Sequence, residues 1–403
     1  MPYPTAHPDA ALDVAGDGTP DDARALLTLA SVPGVGPARV RALLARLGDA
    51  ASVLNADPRA LAQVEGVGMK TARAIVAFDG ADAIEAQLRQ ADRVGAHLLT
   101  LTDPAYPHVL HELYDPPPYL WVRGALRAED ARAVAIVGTR KASDYGKRVA
   151  AHFAAGLIER GYTIVSGLAY GIDIAAHRAA LDAGGRTLAV LGSGVDRIYP
   201  QAHTPVVRRI IEHEQGAVLS EFPLGTKPDA PNFPRRNRII AGLTLGTLVA
   251  EARVKGGALL TAYAALEQNR EVFAAPIPLF HNGGEGNARL IQRGHAKLVA
   301  SVDDLVVEIE NQQAPSQPAT AQRSASAFQT NPTDSPTPGK PPPTDLNRVE
   351  QQLYDALAAE PIHLDVLCER SGVDVSNALV YLLGLELKGH VGQLAGRQFF
   401  RHG

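Results

Sequence analysis

Five cations and a phenyl ring are concentrated in two short stretches of the chain. Arg140 and Lys141 follow Gly138 and Thr139, while Arg235, Arg236 and Arg238 surround Asn237 just after Phe233 and Pro234. Planar guanidinium groups take phosphate oxygens two at a time, and an aromatic face gives a base something to stack on. One nucleotide phosphate does not need so many cations. An extended polyanion does, and single-stranded nucleic acid is the natural candidate. The three arginines cannot all point into a core, because burying unpaired charge is too costly. A competing reading makes them surface ion pairs with acids such as Asp229 and Glu251.

Glycine-bearing turns accompany these cations. Gly138-Thr139-Arg140-Lys141, Ser166-Gly167-Leu168-Ala169-Tyr170-Gly171, Gly192-Ser193-Gly194 and Lys255-Gly256-Gly257-Ala258 each follow a strand-like run, and most open a helix. Bare peptide N–H groups with positive helix ends behind them make an anion site. A dinucleotide would want G-x-G-x-x-G after the first strand, and a nucleotide-hydrolysing P-loop G-x-x-x-x-G-K-[ST]; the first fits poorly and the second is absent. Asp173 and His177 share a helix face and could form an acid–base pair, although a structural carboxylate and imidazole is the more frequent outcome.

The elements that must carry these turns alternate. Val134–Val137, Thr163–Ser166, Thr187–Leu191, Ala217–Ser220, Thr247–Ala250 and Glu271–Ala274 are apolar, barely alternating runs, as in parallel strands covered on both faces. Helices are expected at Gly146–Arg160, Asp173–Asp182, Pro205–Gln215, Arg235–Leu243 and Leu259–Gln268. The pattern predicts an α/β, doubly wound sheet over 95–310, with its ligand at the carboxyl ends of the strands.

Upstream, Val32-Pro33-Gly34-Val35-Gly36 is echoed by Val64-Glu65-Gly66-Val67-Gly68, each leading into a helix (Ala38–Leu47 and Lys70–Phe78). The repeat predicts a tandem helix-hairpin-helix, SAM-like all-α domain over 21–85. Its seven Arg/Lys against six Asp/Glu in 21–80 favour a scaffold or regulatory role over a DNA clamp. Residues 1–20 read as a disordered tail. Residues 311–344 hold eight prolines and no Leu, Ile, Val or Met, and read as a disordered linker. Beyond it, 345–403 predicts three helices (Asp345–Ala358, Leu364–Arg370, Val375–Leu387) and a two-stranded wing, a winged-helix-like domain. With five Arg/Lys against eight Asp/Glu, an auxiliary or protein-contact role is favoured there.

The whole chain has 403 residues, 39 Lys+Arg and 43 Asp+Glu, for a formal charge of −4. That excludes a globally basic binder but leaves room for a local patch. The single cysteine, Cys368, excludes an intrachain disulfide and a Cys-rich zinc module, so no metal or other cofactor is expected. No secretory signal or membrane-length apolar run is visible, and a cytoplasmic location is expected.

Residues 106–310 resemble the DNA-processing protein A (DprA/Smf) family. The matching stretches include Tyr106-Pro107, Ala135-Ile136-Val137-Gly138-Thr139-Arg140, Val165-Ser166-Gly167-Leu168-Ala169-Tyr170-Gly171-Ile172-Asp173, Leu191-Gly192-Ser193-Gly194-Val195-Asp196, Ser220-Glu221-Phe222-Pro223, Phe233-Pro234-Arg235-Arg236-Asn237-Arg238 and Gly286-Asn287. The resemblance implies an extended Rossmann-like core that binds single-stranded DNA without catalysis, dimerises and loads the RecA recombinase, in natural transformation. Carried over by position, Arg140 becomes the foremost DNA ligand. Ser166, Gly167 and Ala169 would supply backbone contacts, and Arg235, Arg236 and Arg238 would line the track. Gly138, Thr139, Lys141, Gly192, Phe233, Asn237, Lys255, Gly256 and Gly257 complete the expected interface. Lys255-Gly256-Gly257-Ala258 departs from the family's Lys-Ser-Gly-Ser, removing two hydroxyls. Ala275-Pro276-Ile277-Pro278 stands where relatives have Val-Pro-Gly. The dimer is expected through the apolar face near Leu290, Ile291 and Leu298.

Two other functions compete. The glycine-rich sheet edge is also similar to that of phosphoribohydrolases acting on nucleoside monophosphates, but the Gly-Thr step of their loop is missing here. A transcription factor acting through its C-terminal helices is the third.

Overall fold

The structure is a computed structural model describing residues 20–278, 281, 283–313, 346 and 348–358, then 362–373, 378, 381–382, 385, 390–394 and 398–401. The tail expected at 1–20 lies outside the described residues except Pro20, as does the expected linker except 311–313, which end a helix. The chain divides into two units, residues 1–318 and 319–403.

The first unit opens with helices α1 (Pro20–Ser31), α2 (Pro37–Leu47), α3 (Ala50–Leu54), α4 (Pro58–Leu61), α5 (Met69–Val76) and α6 (Ala81–Arg93). The sequence repeat becomes a structural one. Gly34 and Gly66 turn the chain with φ of +85° and +75°, a conformation that disfavours any side chain. Gly36 and Gly68 then stand as N-caps of α2 and α5. Arg39 stitches the repeats together, donating to the Gly66 carbonyl at 2.7 Å and to that of Gly34. Leu26, Leu29, Val40, Leu43, Val53, Leu61 and Ile75 form the core of this bundle.

A nine-stranded sheet follows: β1 (Ala96–Thr100), β2 (Tyr119–Gly124), β3 (Ala133–Gly138), β4 (Thr163–Ser166), β5 (Thr187–Val190), β6 (Gly216–Ser220), β7 (Gly246–Glu251), β8 (Glu271–Ala274) and β9 (Lys297–Leu298). Its order is β1-β2-β6-β5-β4-β3-β7-β8-β9. The short helix α7 (His108–His111) links β1 and β2. Helices α8 (Asp144–Glu159), α9 (Ile172–Asp182), α10 (Thr204–Glu212), α11 (Asn232–Gly242), α12 (Gly257–Glu267), α13 (Glu285–Gln292) and α14 (Val302–Gln313) cross over between or follow the later strands. One face of the sheet (Val134, Ile136, Ile164, Leu248) is covered by α8, α9 and α14, and α10 extends that layer over Ala189 and Val218. The other face (Ala135, Val137, Val165, Leu188, Val190) is covered by α11, α12 and α13.

All six strands expected from apolar runs are present and parallel. The sequence reading missed β1 and β2, which extend the sheet antiparallel beyond β6. Three prolines, 116–118, immediately precede β2 and make it read as loop. Prolines before a strand cost it no ladder bond, and Tyr119–Val122 are buried nonetheless.

From β3 the chain winds one way through β4, β5 and β6, while β7 and β8 lie on its other side. The carboxyl ends of β3 and β7 therefore diverge into a crevice, where open α/β sheets bind ligands. The expected dimer face is partly corrected. Leu290 is 1% exposed within the core, and Ile291 packs partly buried against it. Leu298, 47% exposed on the edge strand β9, is the one of the three that faces outward.

In the second unit, Arg348–Ala356 and Leu364–Ser371 are helical. Ile362–His363, Val391–Leu394 and Gln398–Arg401 form a three-stranded antiparallel sheet. The expected wing thus gains a strand, because Ile362 and His363 pair with Phe399 and Gln398. Leu353, Leu357, Leu367, Leu382, Val391 and Phe399 share its core, and Cys368 packs partly buried against them. Most of the expected third helix, Val375–Leu387, lies outside the described residues. No helix among the described residues is long and apolar enough to cross a membrane.

Candidate nucleic-acid interface

The crevice is a cavity of about 480 Å³ walled by the β3 turn (Gly138, Thr139, Arg140), the loop after β4 (Ala169), α9 (Asp173), α11 (Phe233, Arg236, Asn237) and the start of α12 (Gly256, Gly257). One cation–aromatic pair lines it, and the cation of a second stands on the same helix as Phe233, α11. The Arg140 guanidinium lies 4.9 Å from the centre of the Phe233 ring, and that of Arg235 lies 5.0 Å from the Phe222 ring. Arg140 is exposed and the Arg235 side chain is 56% exposed. Phe233 leans over Gly192, where an added Cβ would come within 3.0 Å of the ring. Lys141, Lys255 and Gly257 are exposed on the same turns.

Two of the expected ligands turn inward. Helix α11 rotates about 100° per residue, so consecutive arginines meet different surroundings. Arg236 is 4% exposed. It donates to the Gly167 carbonyl at 2.8 Å, to the Val190 carbonyl, and to Asn237 Oδ1 at 3.2 Å. Burial pulls its pKa down to about 10, against the raising influence of the Asp173 carboxylate, so it stays cationic at neutral pH. Gly167 permits this approach, since a Cβ there would sit 2.5 Å from the guanidinium. Arg238 is held by carboxylates. It meets Glu221 at 2.5 Å and Asp115 at 3.3 Å, with its side chain 13% exposed. Neither expected acid, Asp229 or Glu251, is the partner. The expectation that all three arginines line the track is therefore corrected: carbonyls and acids from distant segments satisfy Arg236 and Arg238, and Arg235 is the one left exposed.

The turn amides are also partly occupied. Gly167 and Ala169 donate their N–H groups to Asp173 Oδ2 at 3.2 and 3.4 Å, which corrects their expected role as free backbone donors. The Ser166 hydroxyl donates to the Ile136 carbonyl at 2.6 Å inside the core. Thr139 donates its N–H to the Glu251 carbonyl at 2.7 Å. Asn237 reaches the Gly257 carbonyl at 3.4 Å and ties α11 to the start of α12. The Leu259 N–H at the start of α12 donates to the Gly256 carbonyl at 3.1 Å, and Gly256 and Gly257 line the crevice there.

Asp173 and His177 do not form an acid–base pair. Burial raises the Asp173 pKa, opposed by Arg236 and by the amides it accepts from. His177 is fully buried, accepting from the Leu168 N–H at 3.3 Å and facing Thr187 Oγ1 at 2.7 Å. Burial lowers its pKa from the usual 6.5 to about 3. The unfolded chain therefore takes up a proton that the folded chain refuses. The stability from neutral His177 is complete above pH 6.5 and is lost as pH falls toward 3. Urea unfolding between these limits is expected to show a decline of up to about 1.4 kcal/mol per pH unit that His177→Gln lacks. Equal pH slopes for the two proteins would contradict this.

Two positioning residues escaped the sequence reading. Glu251, 1% exposed at the end of β7, accepts from the Ser143 N–H at 3.0 Å and hydroxyl at 2.8 Å, joining the start of α8 to β7. Asn287 is 1% exposed. It accepts from the Ala252 N–H at 2.8 Å and donates to the Val249 and Ala275 carbonyls at 2.9 and 3.1 Å. Their motifs were visible, but their partners lie far along the chain.

Comparison with known proteins matches this architecture throughout. The family profile described as DNA recombination-mediator protein A matches residues 97–310, a SAM-like helix-hairpin-helix tandem matches 26–78, and a DprA winged helix domain matches 336–397. Protein Smf of Synechocystis sp. is 35% identical over 93% of this chain and 98% of its own length. Protein Smf of Escherichia coli is 38% identical over 83% of this chain and 85% of its own. The X-ray structure of DNA processing protein A (DprA) from Streptococcus pneumoniae is similar with a TM-score of 0.60 at 34% identity, covering 70% of this chain and 95% of that one. With an extended Rossmann-like sheet set between a helix-hairpin-helix tandem and a winged-helix domain, the chain belongs to the DNA recombination-mediator protein A (DprA/Smf) family.

Proposed function

We propose that this protein binds single-stranded DNA without sequence preference along the crevice rim and passes it to the RecA recombinase in the cytoplasm. The observation that carries this reading is the exposed Arg140 stacked on Phe233 in the crevice wall, with a second exposed cation, Arg235, on the same helix as Phe233. Arg140 and Phe233 combine a phosphate ligand with a ring on which an unpaired base can stack, whereas Phe222 is 5% exposed and serves to carry Arg235; stacking tolerates any sequence. Lys141 and Lys255 extend the same rim. A binding role without turnover is supported by the fate of the acids: Asp173 holds two amides, Glu221 holds Arg238, and Glu251 holds Ser143. Homodimerisation is assigned to the exposed edge of β9 at Leu298.

Fluorescence anisotropy with full-length protein tests the binding. Oligothymidylate is expected to bind more tightly than duplex, with log K falling against log salt by about 0.7 per phosphate neutralised. Arg235→Ala is expected to weaken binding about threefold to tenfold, as for one partly exposed cation. A salt-insensitive complex, or equal affinity for duplex, would overturn the reading.

A further inference from the structure

We infer that the single strand does not end at the crevice but continues past Tyr199 into a second, cationic cavity bounded by α10 and the loop after β6. This extension rests on the reading above and adds a second binding segment to it.

Tyr199 joins the two places. Its ring lies 6.2 Å from that of Phe233, and the residue is 45% exposed. It also lines a separate cavity of about 640 Å³ whose walls carry Arg123, Arg197, Arg208 and Lys227. Phe233 thus neighbours both Arg140 of the first cavity and Tyr199 of the second, which places aromatic surface between the two.

The charges of the second cavity are unbalanced. Arg197, Arg208 and Lys227 are exposed. Among the described residues Arg197 makes a single long ion pair, with Asp196 at 3.6 Å, and its side chain is 58% exposed. Asp196 is otherwise engaged, accepting from the Gly225 N–H at 2.8 Å and from Gln90 at 3.2 Å, with its side chain 6% exposed. Glu212 is the other acid on the wall among the described residues. On the floor, Arg123 donates to the Val195 carbonyl at 3.4 Å, while its Nε is shielded from solvent without a hydrogen-bond partner among the described residues. Four cations around an open cavity next to an exposed aromatic ring fit a phosphodiester chain better than an isolated anion, because the cations are spread over separate elements: β2, the loop after β5, α10 and the loop after β6.

The test uses full-length protein with oligothymidylates of about 6 and about 20 nucleotides, spanning the usual site sizes. The double variant Arg197→Ala/Lys227→Ala is expected to bind the short strand within about twofold of wild type and the long strand about tenfold more weakly, with a salt slope lower by about 1.4 for the long strand. Arg208→Ala is expected to show a smaller loss of the same kind, and Arg140→Ala to weaken both lengths. These cations lie on the surface, so thermal melts should coincide with wild type. An unaltered long-strand affinity and slope in the double variant, alongside the Arg140→Ala loss at both lengths, overturns the extension alone. Wild-type protein that binds neither strand overturns the extension and the parent reading together.

Discussion

Arg140→Ala is expected to weaken single-stranded DNA binding by about tenfold to a hundredfold, the range of a lost phosphate contact plus a disturbed stacking platform. Arg140 is exposed, lies over Phe233, and has no carboxylate partner among the described ion pairs. Its removal should therefore leave folding intact. The salt dependence separates its two contributions. Losing one phosphate contact lowers the slope of log K against log salt by about 0.7. Phe233→Ala is expected to cost about 1–3 kcal/mol of stacking and to leave that slope unchanged. Anisotropy titrations at several salt concentrations check both. Arg140→Ala with wild-type affinity would remove the central contact of the proposed interface.

Arg236→Met is expected to act on stability instead, by about 3–5 kcal/mol, the cost of breaking a buried charged network by deleting one member. Without the guanidinium, the Gly167 and Val190 carbonyls lose their donor. Asp173 is left buried without Arg236, which has the larger effect of the two cations, Arg236 and Arg140, that oppose its desolvation. Adding Asp173→Asn should recover part of the loss, since the amide oxygen can still accept from Gly167 and Ala169 while the buried charge is gone. Urea midpoints of the single and double variants test this coupling. A fully stable Arg236→Met protein with impaired DNA binding would instead restore Arg236 to the role of direct ligand.

The two variants bear on one stretch of sequence whose residues look alike. Written in line, Arg235, Arg236 and Arg238 are one basic cluster, and the family resemblance assigns all three to the DNA track. On the helix they separate. Arg235 sits over Phe222, Arg236 enters the gap left by Gly167, and Arg238 closes on Glu221 and Asp115. The same limit applies to the turn amides, two of which, Gly167 and Ala169, are taken by Asp173. It applies also to Leu290, whose apolar side chain serves the core as readily as an interface.

Local pattern was enough for the parallel strands, the glycine-hairpin repeat and the placing of the turns at one sheet edge, because strand burial and turn geometry are written within a few residues of each other. The fate of each charge was not local. The carbonyl acceptors of Arg236 come from the loop after β4 and from β5, and the acids around Arg238 from segments 17 and 123 residues away. Whether a cation faces a phosphate or a carbonyl depends on which distant groups the sheet brings within hydrogen-bonding range, and only the tertiary structure decided that.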